Sequence, residues 1–326
     1  MRKVVYTCPY VPAEWVRAHG LEAMRLMPKC AGRERAVSER EGMCPFAAAF
    51  AEEATKHREE WAIVVTTGCD QMRRVFDLIS AEFGSACFLM NVPSTWQQTS
   101  AKKLYEDELR RLGRFLVGLG GEAVSNEKLS GVMGEYNKMR RELRNSRERL
   151  NSRAYSEAIA GFYHNGEIDS TKSCSGRGHD GIALAITGGP MVAEDFELFD
   201  IIEKAGGYVE LDATETGERG MCGTFDGDRS RDDALGELVR AYFDEIVEVW
   251  QRPNLRLYEW LKRKLSERKV RGVIVRRYVW CDMWHGEVYR LKEELGIPVI
   301  DIDVSGQAGA YERAKSRIEA FVEMLS

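Results

Sequence analysis

The feature that most constrains the fold of this chain is the alternation of short, apolar, β-branched runs with longer amphipathic stretches. The clearest run, residues 61–67, is apolar almost throughout, as is typical of a parallel strand buried on both faces. Similar runs occupy residues 4–7, 87–92, 182–187 and 272–279. Helical patterns separate many of these runs, and parallel strands need such crossovers. The pattern therefore predicts an α/β protein with largely parallel sheets.

Helical periodicity accounts for much of the remaining chain. Two further strand-like runs, residues 208–211 and 299–303, complete the predicted sheets. The predicted helices cover residues 15–26, 45–60, 71–83, 194–205, 234–250, 255–268, 287–295 and 310–325.

A long helical section separates the two strand-bearing parts of the chain. Residues 95–159 are rich in Glu, Lys and Arg and almost free of strand-like runs. Within them, residues 137–151 carry interleaved charges, which we interpret as a solvated helix face, with a basic patch for a partner as the alternative. A polar stretch at 169–180 predicts a domain boundary. We expect two doubly wound, Rossmann-like parallel-sheet domains joined by the helical section: residues 1–165, which include that section, and residues 178–326.

Composition excludes two classes of partner. The 326 residues include 47 basic and 52 acidic side chains, which gives a net charge of −5, whereas a nucleic-acid-binding surface usually leaves a basic excess. No apolar run approaches the roughly 18 residues that a membrane span needs. The N-terminal residues show no secretory signal pattern. We therefore expect a cytoplasmic protein with no nucleic-acid partner and no membrane partner.

The eight cysteines are the most informative residue type in the composition. In a reducing compartment, thiols serve as buried core groups, metal ligands or nucleophiles. No Cys-x-x-Cys pair, phosphate-binding loop, zinc-protease motif or serine-hydrolase motif occurs, so the common short enzyme motifs are absent. A single cysteine is more often a core residue than a ligand, and this is our interpretation of Cys87, which lies inside a predicted strand.

Three cysteines follow predicted strands directly or closely. They are Cys8, Cys69 and Cys281. Ligands of open parallel sheets bind beyond the carboxyl ends of the strands, near the N-termini of the following helices. A helix N-terminus lowers the pKa of a thiol and so favours the thiolate that binds metal. Cys44, directly before Pro45, has the form of a ligand that opens a helix. Thiolates gathered from distant parts of a chain suit iron–sulfur clusters.

Short motifs in a fixed order extend along nearly the whole chain. In the first half they are Tyr10-Val11-Pro12-Ala13-Glu14, Ala18-His19-Gly20, Met43-Cys44-Pro45-Phe46, Thr67-Gly68-Cys69-Asp70-Gln71-Met72-Arg73-Arg74 and Asn91-Val92-Pro93. In the second half they are Thr187-Gly188-Gly189-Pro190, Ala205-Gly206-Gly207-Tyr208-Val209, Glu215-Thr216-Gly217-Glu218-Arg219, Trp280-Cys281-Asp282, Gly296-Ile297-Pro298-Val299-Ile300 and Arg317-Ile318-Glu319-Ala320-Phe321-Val322-Glu323. By their order and spacing, the chain resembles the D-component-like subunits of the 2-hydroxyacyl-CoA dehydratase and benzoyl-CoA reductase family and their double-cubane relatives.

This resemblance implies an iron–sulfur cluster held by Cys44, Cys69 and Cys281, which we place between the two domains. It also implies a separate ATP-hydrolysing iron–sulfur activator that supplies single low-potential electrons, and a working pair, either a homodimer or a complex with a related subunit. In the dehydratases such an electron makes a ketyl radical, so that an otherwise unreactive hydroxyl can leave an acyl-CoA. The protein's share of that chemistry is positioning, electrostatics and exclusion of water.

Additional cysteines extend the resemblance to the double-cubane branch. In that branch two cubanes share a bridging sulfide, as an [8Fe-9S] unit, and six cysteines hold them. Cys8 and Cys30 are additional to the three-cysteine set, and Cys222 is the one reasonable sixth ligand. The chain departs from the branch in one respect, because a cysteine-bearing segment between Cys44 and Cys69 has no clear counterpart here.

Four other residues are candidates for the site. Glu14 is a candidate acid or base near the cluster, although a carboxylate in a first helical turn also simply favours the helix dipole. His285, one helical turn after Cys281, is a candidate proton donor, against a surface histidine as the alternative. Trp280 and Trp284 are candidates for shielding a cluster and tuning its potential, against ordinary core packing.

The leading hypothesis is therefore an iron–sulfur reductase of the double-cubane type, activated by ATP hydrolysis in its partner and acting on a small molecule. The first alternative is a [4Fe-4S] subunit of a 2-hydroxyacyl-CoA dehydratase, which is a lyase acting on an acyl-CoA, or of an aryl-CoA reductase. The second alternative is a cluster-bearing electron-transfer component without a substrate of its own. A zinc-binding or metal-free relative comes last.

Overall fold

The computed structural model of the protein describes residues 3–30, 42–166, 181–304 and 310–326. Within these ranges the chain forms two four-stranded sheets surrounded by helices, and every pair of neighbouring strands is parallel. The predicted α/β class with two Rossmann-like parallel sheets is therefore confirmed.

The first sheet is formed by the first ninety residues. Its strands are β1 (Lys3–Tyr6), β2 (Glu22–Arg25), β3 (Trp61–Thr66) and β4 (Cys87–Met90). The accompanying helices are α1 (Ala13–Ala18), α2 (Pro45–Lys56) and α3 (Asp70–Phe83). The strand order is β2-β1-β3-β4. Every residue of the central strand β3 is buried, which explains its unbroken apolar sequence.

Three long helices follow, as the sequence predicts. They are α4 (Thr99–Gly118), α5 (Asn126–Ser146) and α6 (Ser152–Asn165). Polar side chains define two of the starts: Ser125 Oγ accepts a hydrogen bond from the Lys128 N–H at 3.2 Å, and Asn151 Oδ1 accepts one from the Ala154 N–H at 2.8 Å. These contacts satisfy backbone donors that a helix N-terminus otherwise leaves free.

The second sheet repeats the topology of the first. Its strands are β5 (Ile182–Gly188), β6 (Gly207–Thr214), β7 (Gly272–Tyr278) and β8 (Val299–Val304), in the order β6-β5-β7-β8. The helices of this part are α7 (Glu197–Lys204), α8 (Gly227–Asp232), α9 (Ala234–Val239), α10 (Leu255–Glu267), α11 (Asp282–Glu294) and α12 (Ala310–Leu325).

Each sheet has one point at which the strand order reverses. In the first sheet this switch point lies between β1 and β3, and in the second it lies between β5 and β7. The connections on the two sides of a switch point cover opposite faces of the sheet, which leaves a crevice beyond the carboxyl ends of the strands. The fold therefore offers two crevices in which a ligand can bind.

The two halves of the chain share apolar packing. Phe225, Phe243 and Trp250 belong to the same buried cluster as Tyr10, between β1 and α1, and Leu109 of α4. The polar stretch 169–180, on which the predicted domain boundary rests, lies outside the described residues. The division into residues 1–165 and 178–326 therefore stays a prediction.

The helix predicted over residues 15–26 is confirmed only as far as residue 18 and is wrong for the rest. The helix α1 ends at Ala18, and Gly20 has a φ of +80°, a left-handed conformation that suits glycine and ends the helix. The chain then forms β2, which pairs along its whole length with β1. A strand of only four residues is too short for its alternating pattern to be separated from a helical one.

The helix predicted over residues 234–250 is confirmed for residues 234–244 and wrong for the rest. Regular α-helix ends at Val239, and one π-helical turn, Arg240–Asp244, follows it. The next residues pack alternately into two different cores: Ile246 belongs to the cluster around α4 and α5, and Val247 belongs to the cluster around β7 and α10. A segment that is buried on both sides has no solvent-facing stripe. Its apolar sequence therefore cannot be distinguished from that of a buried helix.

Among the residues that the structure describes, no helix combines the length and the apolar character that a membrane crossing requires.

Candidate metal centre

The carboxyl ends of both sheets contribute to the wall of one cavity of about 80 Å³. The strands concerned are β1 and β3 of the first sheet and β5 and β7 of the second, the four strands that flank the two switch points. A cavity of this size has room for several water molecules. We call it the cysteine cavity, because its lining includes Cys8, Cys44, Cys69 and Cys281.

Three of these cysteines occupy the N-cap positions of helices. Cys44 precedes α2, Cys69 precedes α3 and Cys281 precedes α11. The first helical residue after Cys44 is Pro45, whose fixed φ and missing N–H suit that position. Each thiol thus stands at the positive end of a helix dipole. The fourth thiol, that of Cys8, lies just beyond the end of β1.

The pKa values of these thiols are raised, contrary to the expectation from their helix positions. Burial raises the pKa of Cys44 to about 12 and the pKa of Cys69 to about 11, and it also raises the pKa of Cys281. Backbone N–H groups of the first helical turns act in the opposite direction, but burial in an apolar wall has the larger effect. A bound metal cation reverses this balance, since a coordinated thiol is deprotonated.

The donor set fits a cluster better than a single ion. Four thiols around one cavity match the four-cysteine ligation of cubane clusters. Within the described ranges, no three Cys, His, Asp or Glu side chains converge closely enough to share one metal ion, whereas zinc ligands all lie about 2.0–2.3 Å from one atom. In a cluster the thiolates bind different iron atoms and stand further apart.

A buried arginine in the cavity wall has an unused hydrogen-bond donor. The guanidinium of Arg276, in β7, donates from Nη1 to the Pro190 carbonyl at 2.8 Å and from Nη2 to Asp195. Its Nε–H is buried and has no hydrogen-bond partner. Such a donor is costly unless a ligand satisfies it, and sulfurs of clusters commonly accept hydrogen bonds. This orphaned donor therefore fits a cluster in the cysteine cavity.

Asp195 holds that arginine in place. Its Oδ2 accepts from the Tyr278 hydroxyl at 2.6 Å and from the Val192 N–H at 2.9 Å, and its Oδ1 accepts from the Tyr311 hydroxyl at 2.6 Å. The network joins β7 to α12 beneath the cavity wall. Because Asp195 is fully engaged, it neutralises Arg276 without occupying its Nε–H.

Two carboxyl groups form another part of the wall. Glu215 follows β6 directly, and Glu248 lies in the irregular segment after the π-helical turn. Burial and the neighbouring Glu248 raise the pKa of Glu215 to about 8, while Arg25 and Arg219 act in the opposite direction. Burial also raises the pKa of Glu248, which contacts the guanidinium of Arg219. These are the acidic side chains of the cavity.

The aromatic candidates separate into lining and exposed residues. Trp284 is 1% exposed and lines the cavity, together with Trp250. Trp280 is 54% exposed and is not among the lining residues, and His285 is exposed as well. Trp284 is therefore placed to exclude water from the site. Trp280 and His285 lie on the surface beside Cys281.

Cys30 and Cys222 do not line the cysteine cavity. The backbone N–H of Cys30 donates to Glu194 Oε2 at 3.0 Å, and Arg276 is among the charges that act on its thiol, whose pKa burial raises to about 11. Cys30 therefore lies near the Arg276 side of the wall. Cys222 is fully buried in the cluster around α4 and α5, and Arg140 is the charge that acts most strongly on its thiol.

Glu14 is placed in the same buried region as Cys222. Its carboxylate pairs with Arg140, and both side chains are 0% exposed. Its other oxygen accepts a hydrogen bond from the Tyr242 hydroxyl at 2.6 Å. Glu14 does not line the cysteine cavity. Arg140 comes from the charged stretch that we interpreted as a solvated face, so that interpretation is wrong for this residue.

The cavity also contains residues that sequence reasoning missed. Glu215 was not recognised as a strand-end residue, because the predicted strand ended at residue 211 whereas β6 continues to Thr214. Arg276 and Arg277 interrupt an otherwise apolar strand, and a charge in a largely buried strand is a signal that could have identified Arg276. Nothing local marks Glu248 or Trp250, whose segment was interpreted as a helix.

The comparison with protein families agrees with this architecture. A family model described as "2-hydroxyglutaryl-CoA dehydratase, D-component" matches residues 8–325. The match therefore begins at Cys8, ends within α12 and includes all the residues of the cysteine cavity except Thr7. A search of curated proteins finds no significant match. By this match over nearly its whole length, the chain belongs to the 2-hydroxyglutaryl-CoA dehydratase D-component family.

Proposed function

We propose that the protein is the cluster-bearing component of a 2-hydroxyacyl-CoA dehydratase-like system. It receives low-potential electrons from an ATP-hydrolysing iron–sulfur activator and delivers them to a small substrate. The observation that carries the proposal is the cysteine cavity, where four thiols from distant parts of the chain line one apolar space at the two switch points. Family membership supports the same assignment.

The residues of the cavity have separate roles in this proposal. Cys8, Cys44, Cys69 and Cys281 would hold the cluster, which when bound supplies one-electron chemistry at low potential. The Nε–H of Arg276 would donate a hydrogen bond to thiolate or sulfide at the wall, while Asp195 compensates the charge of the guanidinium.

Other residues that line the cysteine cavity would act on the substrate. Trp250 and Trp284 keep water out, which strengthens the electrostatic interactions inside the cavity. Glu215 is the carboxyl group placed to exchange a proton with a molecule bound there, and the geometry favours it for this role over the sequence candidates Glu14 and His285.

A single [4Fe-4S] cubane is the assignment that the geometry favours. Cubane clusters are commonly held by four cysteines, and four line the cavity. This corresponds to a subunit of a 2-hydroxyacyl-CoA dehydratase or of an aryl-CoA reductase, working with a related subunit or with a second copy of the chain.

A double-cubane [8Fe-9S] cluster is the second candidate, because Cys30 packs against the same buried cluster as Cys69 and Cys281. Cys30 would then add a fifth ligand from outside the cavity lining, near Arg276. Cys222 gives this version no support, because its thiol is buried beside Arg140.

Iron and acid-labile sulfide per chain, measured on anaerobically purified or reconstituted protein, test the proposal. About four irons support the single cubane, and about eight support the double-cubane version. No iron after reconstitution would contradict both. Turnover of small molecules or acyl-CoA by the activated protein then separates an enzyme from an electron carrier without a substrate of its own.

A further inference from the structure

A second and larger cavity lies on the other side of the irregular segment after the π-helical turn. Its volume is about 740 Å³. Val247 lines this cavity, whereas the next residue, Glu248, lines the cysteine cavity. We call the larger one the cationic cleft, because six basic side chains line it: Arg144, Arg147, Arg256, Arg263, Lys264 and Arg268.

The positive charge of the cleft exceeds its negative charge. Four acidic residues line it together with the six basic ones, which leaves an excess of two positive charges. Two of the acidic residues are already neutralised by bases that do not line the cleft: Asp244 pairs with Lys102, and Glu245 pairs with Arg240. Acidic residues outside the lining likewise pair with bases of the cleft, so the net excess stays at two positive charges.

Two arginines of the cleft have no acidic partner. Arg144 donates to Thr224 Oγ1 at 3.2 Å and to the Cys222 carbonyl at 3.3 Å, and Arg256 donates to the Phe243 carbonyl at 3.4 Å. Among the described residues, no carboxylate lies within 4.0 Å of either guanidinium. Each therefore keeps N–H donors and a full charge for a ligand.

A third arginine adds an orphaned donor to the cleft. The Nε–H of Arg147 is buried and has no hydrogen-bond partner, although its guanidinium pairs with Glu210 through Nη2 and its Nε lies 3.9 Å from Oε1 of Glu218. A donor in this state costs free energy in the absence of a ligand. Arg144 and Arg256 thus line the cleft without a carboxylate partner, and Arg147 adds one buried N–H without a hydrogen bond.

The chemistry of the walls selects the ligand. Guanidinium groups bind phosphate oxygens with two parallel hydrogen bonds, and Tyr155 and Trp260 add aromatic surface on which a planar ring can stack. The volume lies in the range of sites for small organic ligands. We propose that the cationic cleft binds a diphosphate-bearing ligand that also carries an aromatic ring, as a nucleoside diphosphate does.

The test uses the purified full chain and three probes: inorganic pyrophosphate, ADP and CoA. Isothermal titration at low ionic strength measures Kd for each. ADP is expected to bind more tightly than pyrophosphate, and added salt is expected to weaken all three. The double variant Arg144→Gln/Arg256→Gln should raise Kd for ADP at least tenfold. Binding needs no iron, so a failure of the proposed cluster would leave this result unaffected.

Matched variants keep the test specific. Arg141→Gln removes an exposed arginine from the same helix as Arg144, outside the lining of the cleft, and should leave Kd unchanged. Trp260→Ala should abolish the advantage of ADP over pyrophosphate. Circular dichroism and the thermal midpoint confirm that each variant is folded.

The outcomes decide the proposal. Binding of none of the probes, or equal Kd values for the wild type and the double variant, would overturn it. Equal binding of pyrophosphate and ADP would overturn the ring site. CoA binding tighter than ADP would identify the diphosphate as that of a CoA derivative, and the reverse order would identify it as that of a free nucleotide; either order supports the proposal.

Discussion

Trp250 packs directly against the backbone of Gly68. A Cβ atom at residue 68 would lie 2.8 Å from Cε2 and 3.0 Å from Nε1 of the Trp250 ring. Both residues line the cysteine cavity, and Gly68 directly precedes Cys69. A small residue at position 68 thus lets an aromatic wall from the second half of the chain contact a cysteine-bearing loop of the first half.

We expect Gly68→Ala to displace the Trp250 ring and to destabilise the protein by about 1–3 kcal/mol, as overpacking does. Urea denaturation followed by tryptophan fluorescence measures both effects. The matched control is Gly131→Ala, within α5, where an added Cβ meets no atom within 4 Å. That control should be neutral or stabilising, because alanine is the better helix former. Equal stability of the two variants would contradict the contact.

Replacing the cysteines of the cavity is expected to lower iron content. Cys44→Ser, Cys69→Ser and Cys281→Ser should each lose most of the iron of the reconstituted protein, since each removes a proposed ligand. Iron is measured per folded chain after anaerobic reconstitution.

The remaining cysteines supply the controls for that series. Cys87→Ser and Cys222→Ser, which lie outside the cavity lining, should keep the wild-type iron content. Loss of iron in Cys222→Ser would support the prediction from the sequence that Cys222 is a cluster ligand. Loss of half of an eight-iron content in Cys30→Ser would favour the double-cubane version.

We expect Glu14 to stabilise the folded protein. Glu14→Gln leaves the buried guanidinium of Arg140 uncompensated, and loss of one partner of a buried pair costs about 3–5 kcal/mol. The second-site variant Glu14→Gln/Arg140→Met removes both charges and should recover part of that loss. Free energies of unfolding from urea titration measure the cycle.

An exposed ion pair gives the control for Glu14. Lys103 and Asp107 approach to 3.9 Å on the surface of α4, and Asp107→Asn should change stability by less than about 1 kcal/mol. If Glu14→Gln kept wild-type stability and lost only substrate turnover, the catalytic assignment of Glu14 would be correct and the structural one wrong.

Stability is expected to fall on mild acidification because of His19. Burial lowers the pKa of this histidine below its ordinary value of 6.5, with Lys128 acting in the same direction; its Nδ1 hydrogen-bonds to the Trp15 carbonyl at 2.7 Å. Below pH 6.5 the unfolded chain binds the proton more readily than the folded one, so stability decreases as the pH falls from about 6.5 to the lowered pKa.

The slope due to one proton is at most about 1.4 kcal/mol per pH unit. Free energies of unfolding between pH 7.5 and 5.5 measure it. His19→Asn should flatten this slope. An unchanged slope in His19→Asn would exclude His19 as its source.

The sequence by itself determined the fold class and the positions of the most informative thiols. Whether a strand is buried on both faces depends on its own residues, so the apolar run at β3 could be recognised locally. The same holds for Cys44, Cys69 and Cys281, because a helix start after a strand or before a proline leaves a local pattern.

Local patterns failed where burial came from distant parts of the chain. Residues 246–250 have no helical stripe because two different cores cover them, and β2 is a strand because β1 offers it an edge. Neither fact is encoded within a window of neighbouring residues.

Only the tertiary structure decided which groups share a site. It placed Cys8 with the other three cavity cysteines, added Glu215 and Arg276, and separated Cys222 and Glu14 into a buried network of their own. The physical reason is that the two switch points face one cavity through contacts between residues some 200 positions apart. Hydrophobic periodicity specifies each sheet, but the pairing of the two sheets depends on side chains that contact each other only after both have formed.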